Sequence, residues 1–155
     1  KMKSIGKRTI TGTLENEQQL QVLENMLPHI GYRVIDFRVA PVDHDDFDII
    51  PGRYSIARLD TIGLPPLFTT SDPFLRKVRM DANTTVGFAY FSGGNMDSMF
   101  DPNMLITQDL FITNMEDEEK DDPLTNFVIV LEKFDISSDE QIMSLLQENS
   151  QDMSR

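Results

Sequence analysis

Residues 126–149 read NFVIVLEKFDISSDEQIMSLLQEN, and this stretch decides the fold class. Phe127-Val128-Ile129-Val130-Leu131 is a continuous β-branched and aromatic run, closed by Glu132 and Lys133. A short run of this kind predicts a strand buried on both faces and central in a sheet. It falls far short of the roughly 20 apolar residues needed to cross a bilayer. A helix signal follows it. Ser137 and Ser138 each carry a hydroxyl that can accept from a free N–H of a first helical turn. Glu140 and Gln141 stand at the matching capping-box positions. Asp139 and Glu140 also place negative charge at the positive end of the helix dipole. Ile142, Leu145 and Leu146 then share a face, with Met143 beside it, so 137–155 is expected to form a C-terminal helical tail. Its stripe would pack on the chain's own sheet or, tethered at one end, dock as an arm on a neighbouring subunit.

Upstream, period-two alternation marks further strands. In Lys7 to Leu14, Ile10, Gly12 and Leu14 alternate with Thr9, Thr11 and Thr13, which predicts a strand with a wet, threonine-rich face. Asn16 and Gln19 look like a helix start, and Leu20, Leu23 and Leu27 fall at helical spacing, so a short helix is expected before Pro28. His29 would then sit at that helix's end, where a cation suits the dipole. Tyr32 to Val39, Arg53 to Thr61 and Leu105 to Thr113 read as strands. Leu75 to Met80 and Thr85 to Phe91 read as a hairpin across an Asp- and Asn-bearing turn. The strand-dominated order predicts one mainly β domain over 1–155, an antiparallel sandwich or jelly-roll-like arrangement with two short helices. The alternative is an α+β domain with both helices on one face of a sheet.

Three long connections stand out. Residues 62–73 hold Pro65, Pro66 and Pro73, and the uncharged Leu64, Leu67 and Phe68 suggest a loop that packs on something. Ser92 to Asn103, SGGNMDSMFDPN, reads as a flexible loop. Its glycines lack the spacing and the following Lys of a phosphate loop. Met96, Met99 and Phe100 on that loop would either adapt to a partner or plug the end of the core. Asn114 to Thr125 is an acidic loop of the usual solvated kind.

Chemistry is sparse. The chain has no Cys, which removes disulfides, thiolate metal sites and thiol nucleophiles and fits a reducing compartment. His29 and His44 are its only histidines, and no HExxH, GxGxxG, Walker or GxSxG pattern is present. Asp43, Asp45, Asp46 and Asp48 around His44 could hold a hard cation, but Phe47 and Asp48 stand where a calcium loop needs an oxygen ligand and a glycine. A carboxylate-pair hydrolase finds no pair standing apart from the acidic loops. No catalytic residue and no cofactor is indicated.

The net charge is −12, split between about neutral residues 1–80 and a strongly acidic remainder. That balance disfavours nucleic acid and anionic membranes, although Lys1, Lys3, Lys7 and Arg8 form a local basic start. There is no visible signal peptide, membrane segment or lipidation motif, so the expected setting is a virion or the cytoplasm. The chain opens on Lys1 rather than Met, which leaves room for residues ahead of it. These observations point to a non-enzymatic structural protein. It would be a subunit of a homo-oligomeric or viral particle such as a capsid, with copies of itself or other particle subunits as partners. Leu64, Leu67, Phe68, Met96, Met99, Phe100, Ile142, Met143, Leu145 and Leu146 are the expected subunit contacts. A cation- or ligand-binding β module using the Asp43–Asp48 loop is the alternative.

Overall fold

The apolar run at 127–131 does lie at the centre of a sheet. A computed structural model describes residues 3–15, 18–25, 27–42, 55–63, 83–92, 95–114 and 124–136. Among them are eight strands: β1 (Lys3–Leu14), β2 (Gln19–Glu24), β3 (Ile30–Pro41), β4 (Ser55–Asp60), β5 (Thr85–Ser92), β6 (Asn95–Phe100), β7 (Asp109–Asn114) and β8 (Thr125–Asp135). They form two antiparallel sheets, one ordered β1-β8-β3 and the other β2-β7-β4-β5-β6. Pairing is nested along the chain. β1 pairs with β8, β2 with β7 and β4 with β5, while β3 packs against β6.

β8 is flanked along its length by β1 and β3, but it is not buried on both faces. Phe127, Ile129 and Leu131 are buried, whereas Val128 is exposed and Val130 half-buried. The run is therefore a half-buried strand, and β-branched residues on its outer face satisfy the pleat without entering the core. On β1, Leu14 is buried and Ile10 and Gly12 half-buried, while Thr9, Thr11 and Thr13 are exposed. The ring of Phe127 lies across Gly12, where a Cβ would come within 2.7 Å of it.

The expected helix at Asn16–Leu27 is a correction: its centre is strand β2. The register with β7 shifts between Gln21 and Leu23, so Leu20 and Leu23 both meet inward-facing residues of β7, Ile112 and Leu110. A one-residue bulge turns period two into an i, i+3 spacing that imitates a helix. β3 repeats the device. Its register shifts between Val34 and Asp36, and this brings Tyr32, Val34, Phe37 and Val39 all into the core while Ile35 turns outward. The second expected helix, 137–155, and the expected strand 75–80 lie outside the described residues. β5 is paired by β4 on one side and β6 on the other. The loop expected at 92–103 is a further correction, since Asn95–Phe100 is β6, in unbroken register with β5. His29 caps no helix. It is exposed in the turn before β3, and its carbonyl accepts the Ile136 N–H at 2.8 Å.

The two sheets share one apolar core that includes Leu14, Leu23, Val34, Phe37, Leu59, Leu110, Ile112, Ile129 and Leu131. Side-chain amides, one half-buried and one buried, tie its ends. Asn25 Nδ2 donates to the carbonyls of Ile30 and Thr107, at 2.7 and 2.9 Å, and so links the β2–β3 turn to the chain before β7. Asn114 Nδ2 donates to the Glu15 carbonyl at 2.9 Å. Beyond β3, Tyr32 and Ile106 exchange backbone hydrogen bonds of 2.8 and 2.7 Å, which occupies that edge at one point.

Phe37 has no exposed surface, and truncating a buried Phe removes both transfer energy and packing. Phe37→Ala is expected to destabilise the chain by about 3–5 kcal/mol. A urea titration reads this directly, and an unchanged midpoint would remove Phe37 from the core.

Candidate functional site

Strand alternation sorts the five-stranded sheet into two faces. Leu20, Ile112, Leu59, Gly87 and Phe100 are successive cross-strand partners on the face toward the core. Gln19, Thr113, Arg58, Phe88 and Met99 form the matching row on the outer face. That outer row is not uniformly wet. Thr113 and Arg58 have no exposed surface, Phe88 is half-buried and Met99 is 66 % exposed. The face is closed over its centre and opens toward the edge at β6.

The closed part holds the strongest electrostatic feature among the described residues. Arg58 and Asp60 are two apart on β4, share a face and are both completely buried. The Arg58 Nε–H donates to Asp60 Oδ2. The Thr85 hydroxyl donates to Asp60 Oδ1 at 2.7 Å, reaching it through a register shift at Leu59/Asp60. Beside them Gln19 Nε2 donates to Thr113 Oγ1 at 2.9 Å. Burying each ion costs several kcal/mol, which only good geometry and added hydrogen bonds repay. Both charges are sealed from solvent, and the Thr85–Asp60 bond is where the pair ties β4 to β5.

The open part is a different kind of surface. Phe88, Tyr90, Asp97, Ser98 and Met99 line a shallow depression of about 170 Å3. Tyr90 is 38 % exposed and pairs across the ladder with Asp97; Phe88 pairs with Met99. β6 is held close at this point because Gly87 has no side chain. A Cβ there would stand 2.2 Å from the Met99 carbonyl oxygen and 2.5 Å from the Phe100 Cα. The Ser98 backbone N–H is turned away from β5 and is taken by Asp97 Oδ1 at 2.9 Å. No strand among the described residues pairs with the second edge of β6.

Of the expected contact residues, Met99 belongs to this open surface. Met96 and Phe100 are half-buried on the other face of β6, and Phe100 packs against the core. Leu64, Leu67, Phe68, Ile142, Met143, Leu145 and Leu146 lie outside the described residues, as do Asp43, Asp45 and Asp48. Among the described residues no three His, Asp or Glu side chains are grouped to hold a metal, and no helix is long and apolar enough to cross a membrane. No sequence motif marks Phe88, Tyr90 or the Arg58–Asp60 pair. Alternation placed Arg58 and Phe88 on strands, but it carries no sign of which outer face is covered. Comparison with protein-family models, curated proteins and solved structures finds no match.

Removing only the cation leaves a buried carboxylate without its counter-charge, at a cost of about 3–5 kcal/mol. Arg58→Met is therefore expected to lower the urea midpoint sharply, and Arg58→Met combined with Asp60→Leu to recover most of the loss. A single variant as stable as the parent would show that the pair does not hold β4 in place.

Proposed function

We propose that this chain is a non-enzymatic assembly subunit that works as one copy among others in a homo-oligomer or particle. The observation that carries the reading is the β5–β6 flank. An edge strand with an unbroken register exposes Met99 beside Tyr90 and Phe88 around a shallow apolar depression. Edge strands left to solvent are normally blunted by bulges, cations or prolines. β1, β2 and β3 each carry a register shift, β1 adds Lys3, Lys7 and Arg8, and β3 has Ile106 against it. β6 has none of these devices, and its one charge is Asp97.

The nested pairing of strands supports reading the two sheets as a jelly-roll sandwich. This arrangement recurs in capsid proteins, lectins and cupins. The space between the sheets is filled by Leu, Ile, Val and Phe side chains, which favours a scaffold over a fold built around a bound ligand. The viral-particle form of the proposal rests on that likeness of architecture, and architecture alone does not assign function.

Light scattering on a sizing column, run over a range of protein concentration, tests the proposal. The expected result is a discrete multimer of the 17.7 kDa chain whose population grows with concentration. A 17.7 kDa monomer at every concentration would sink it.

A further inference from the structure

β1 and β6 lie on opposite flanks of the fold, β1 beside β2 and β6 beside β3. At the start of β1 the register with β8 shifts between Ser4 and Gly6, so Ile5 has no cross-strand partner. Gly6 takes a φ of 146°, a backbone state that side-chain-bearing residues rarely adopt. Bulges commonly serve to re-aim a side chain. Here the effect is an Ile that is 46 % exposed on an edge strand, framed by exposed Lys3, Lys7 and Arg8.

The opposite flank has the complementary features. Its depression is lined by Phe88, Tyr90 and Met99, and its charged member is Asp97, with exposed Asp101 just beyond β6. We propose that the Lys3–Arg8 segment of a second copy docks on this flank, with Ile5 in the depression and Lys3 or Lys7 against Asp97. The proposal rests on the assembly reading above and names its interface.

Charge decides between this contact and its symmetric rivals. Two β1 segments brought together would oppose Lys3, Lys7 and Arg8 with their own copies, and two β6 flanks would oppose Asp97 with Asp97. Like charges facing each other across strands are destabilising. Only the β1–β6 combination joins opposite signs, so both self-pairings are selected against while the head-to-tail contact is selected for. A head-to-tail contact between opposite flanks leaves the growing assembly with one free β1 at one end and one free β6 at the other. It closes into a ring if the rotation per step permits and otherwise runs on as a filament.

The test uses the full chain, with circular dichroism to establish that each variant is folded. Ile5→Asp is expected to weaken association at least about tenfold, the scale of one buried Ile side chain. Lys3→Glu combined with Lys7→Glu is expected to weaken it as well, and Asp97→Lys alone to do the same. Combining Asp97→Lys with the two Lys→Glu changes is expected to restore association. Restoration by the charge swap would be specific to a direct contact, since general damage to the surface does not cancel. The proposal is overturned if folded Ile5→Asp assembles like the parent, or if the swap gives no recovery. A parent that assembles alongside unaffected variants removes only this interface. A parent that stays monomeric removes the assembly reading with it.

Discussion

The pairing of β8 with both β1 and β3 is the constraint on which the rest of the chain depends. β8, the last described strand, pairs with the first, and Thr13 and Asn126, 113 positions apart, share a side-chain hydrogen bond of 2.8 Å. β3 lies on its other side over the same span, from Ile30 opposite Asp135 to Pro41 opposite Thr125. Closing so long a loop costs entropy before any contact repays it, although the cost grows only logarithmically with length. The return comes from Phe127, Ile129 and Leu131, which enter the core together once β8 is seated. The remaining strands nest inside that closure. A fold dominated by such distant pairings belongs among the slower folders, and its edges stay unpaired for longer while it forms.

Bulges mark the boundary of what the sequence discloses. Where alternation runs without interruption, as in Ile10, Gly12 and Leu14, the strand and its wet face are legible from residue types alone, whereas in β4 it gives the strand but not that both faces are buried. The register shifts in β2 and β3 break that rule. In β2 the shift makes Leu20 and Leu23 look like one face of a helix, and the apolar Val22 between them reinforces the impression. In β3 it lets two apolar sets that appear to oppose one another both reach the core. Only the cross-strand partner defines a bulge, and a single strand's sequence does not contain its partner. β6 was hidden for another reason. Asn95, Asp97 and Ser98 are poor strand formers, and β6 exists because Gly87 lets it lie against β5 at backbone distance.

The buried Arg58–Asp60 pair shows the same limit at the level of energetics. On an exposed face, Arg and Asp two positions apart on a strand would be an ordinary solvated pair, and Arg38 with Asp36, at 3.0 Å and well exposed, is one. The two pairs have the same composition and spacing. Their difference lies wholly in what covers the sheet, and cover is a property of the folded chain. A surface pair of this type contributes little, whereas a buried one penalises every arrangement that separates its members. The pair itself lies within β4, and it reaches across the sheet through the Thr85 hydroxyl, which donates to Asp60 Oδ1 and so ties β4 to β5.

Placing the ionic anchor at the centre of the sheet has a consequence for its rim. Along the outer row the side chains pass from sealed Thr113 and Arg58, through half-buried Phe88, to Met99 at the edge. The interior of that row is sealed, and the edge is left open. β6 needs no bulge or cation to keep its place, because Gly87 and the unbroken ladder to β5 seat it. Its side chains are accordingly free to serve a surface, and those present combine a flexible Met, an aromatic ring with a polar tip and a single acid. Met adapts to irregular partners, and Tyr brings contact area at little entropic cost. On the far flank the chain places an outward Ile and three cations on a strand whose backbone is bent by a bulge. An exposed apolar side chain taken singly needs no explanation. Two on opposite flanks, one set among cations and the other beside an acid, match the head-to-tail contact proposed above.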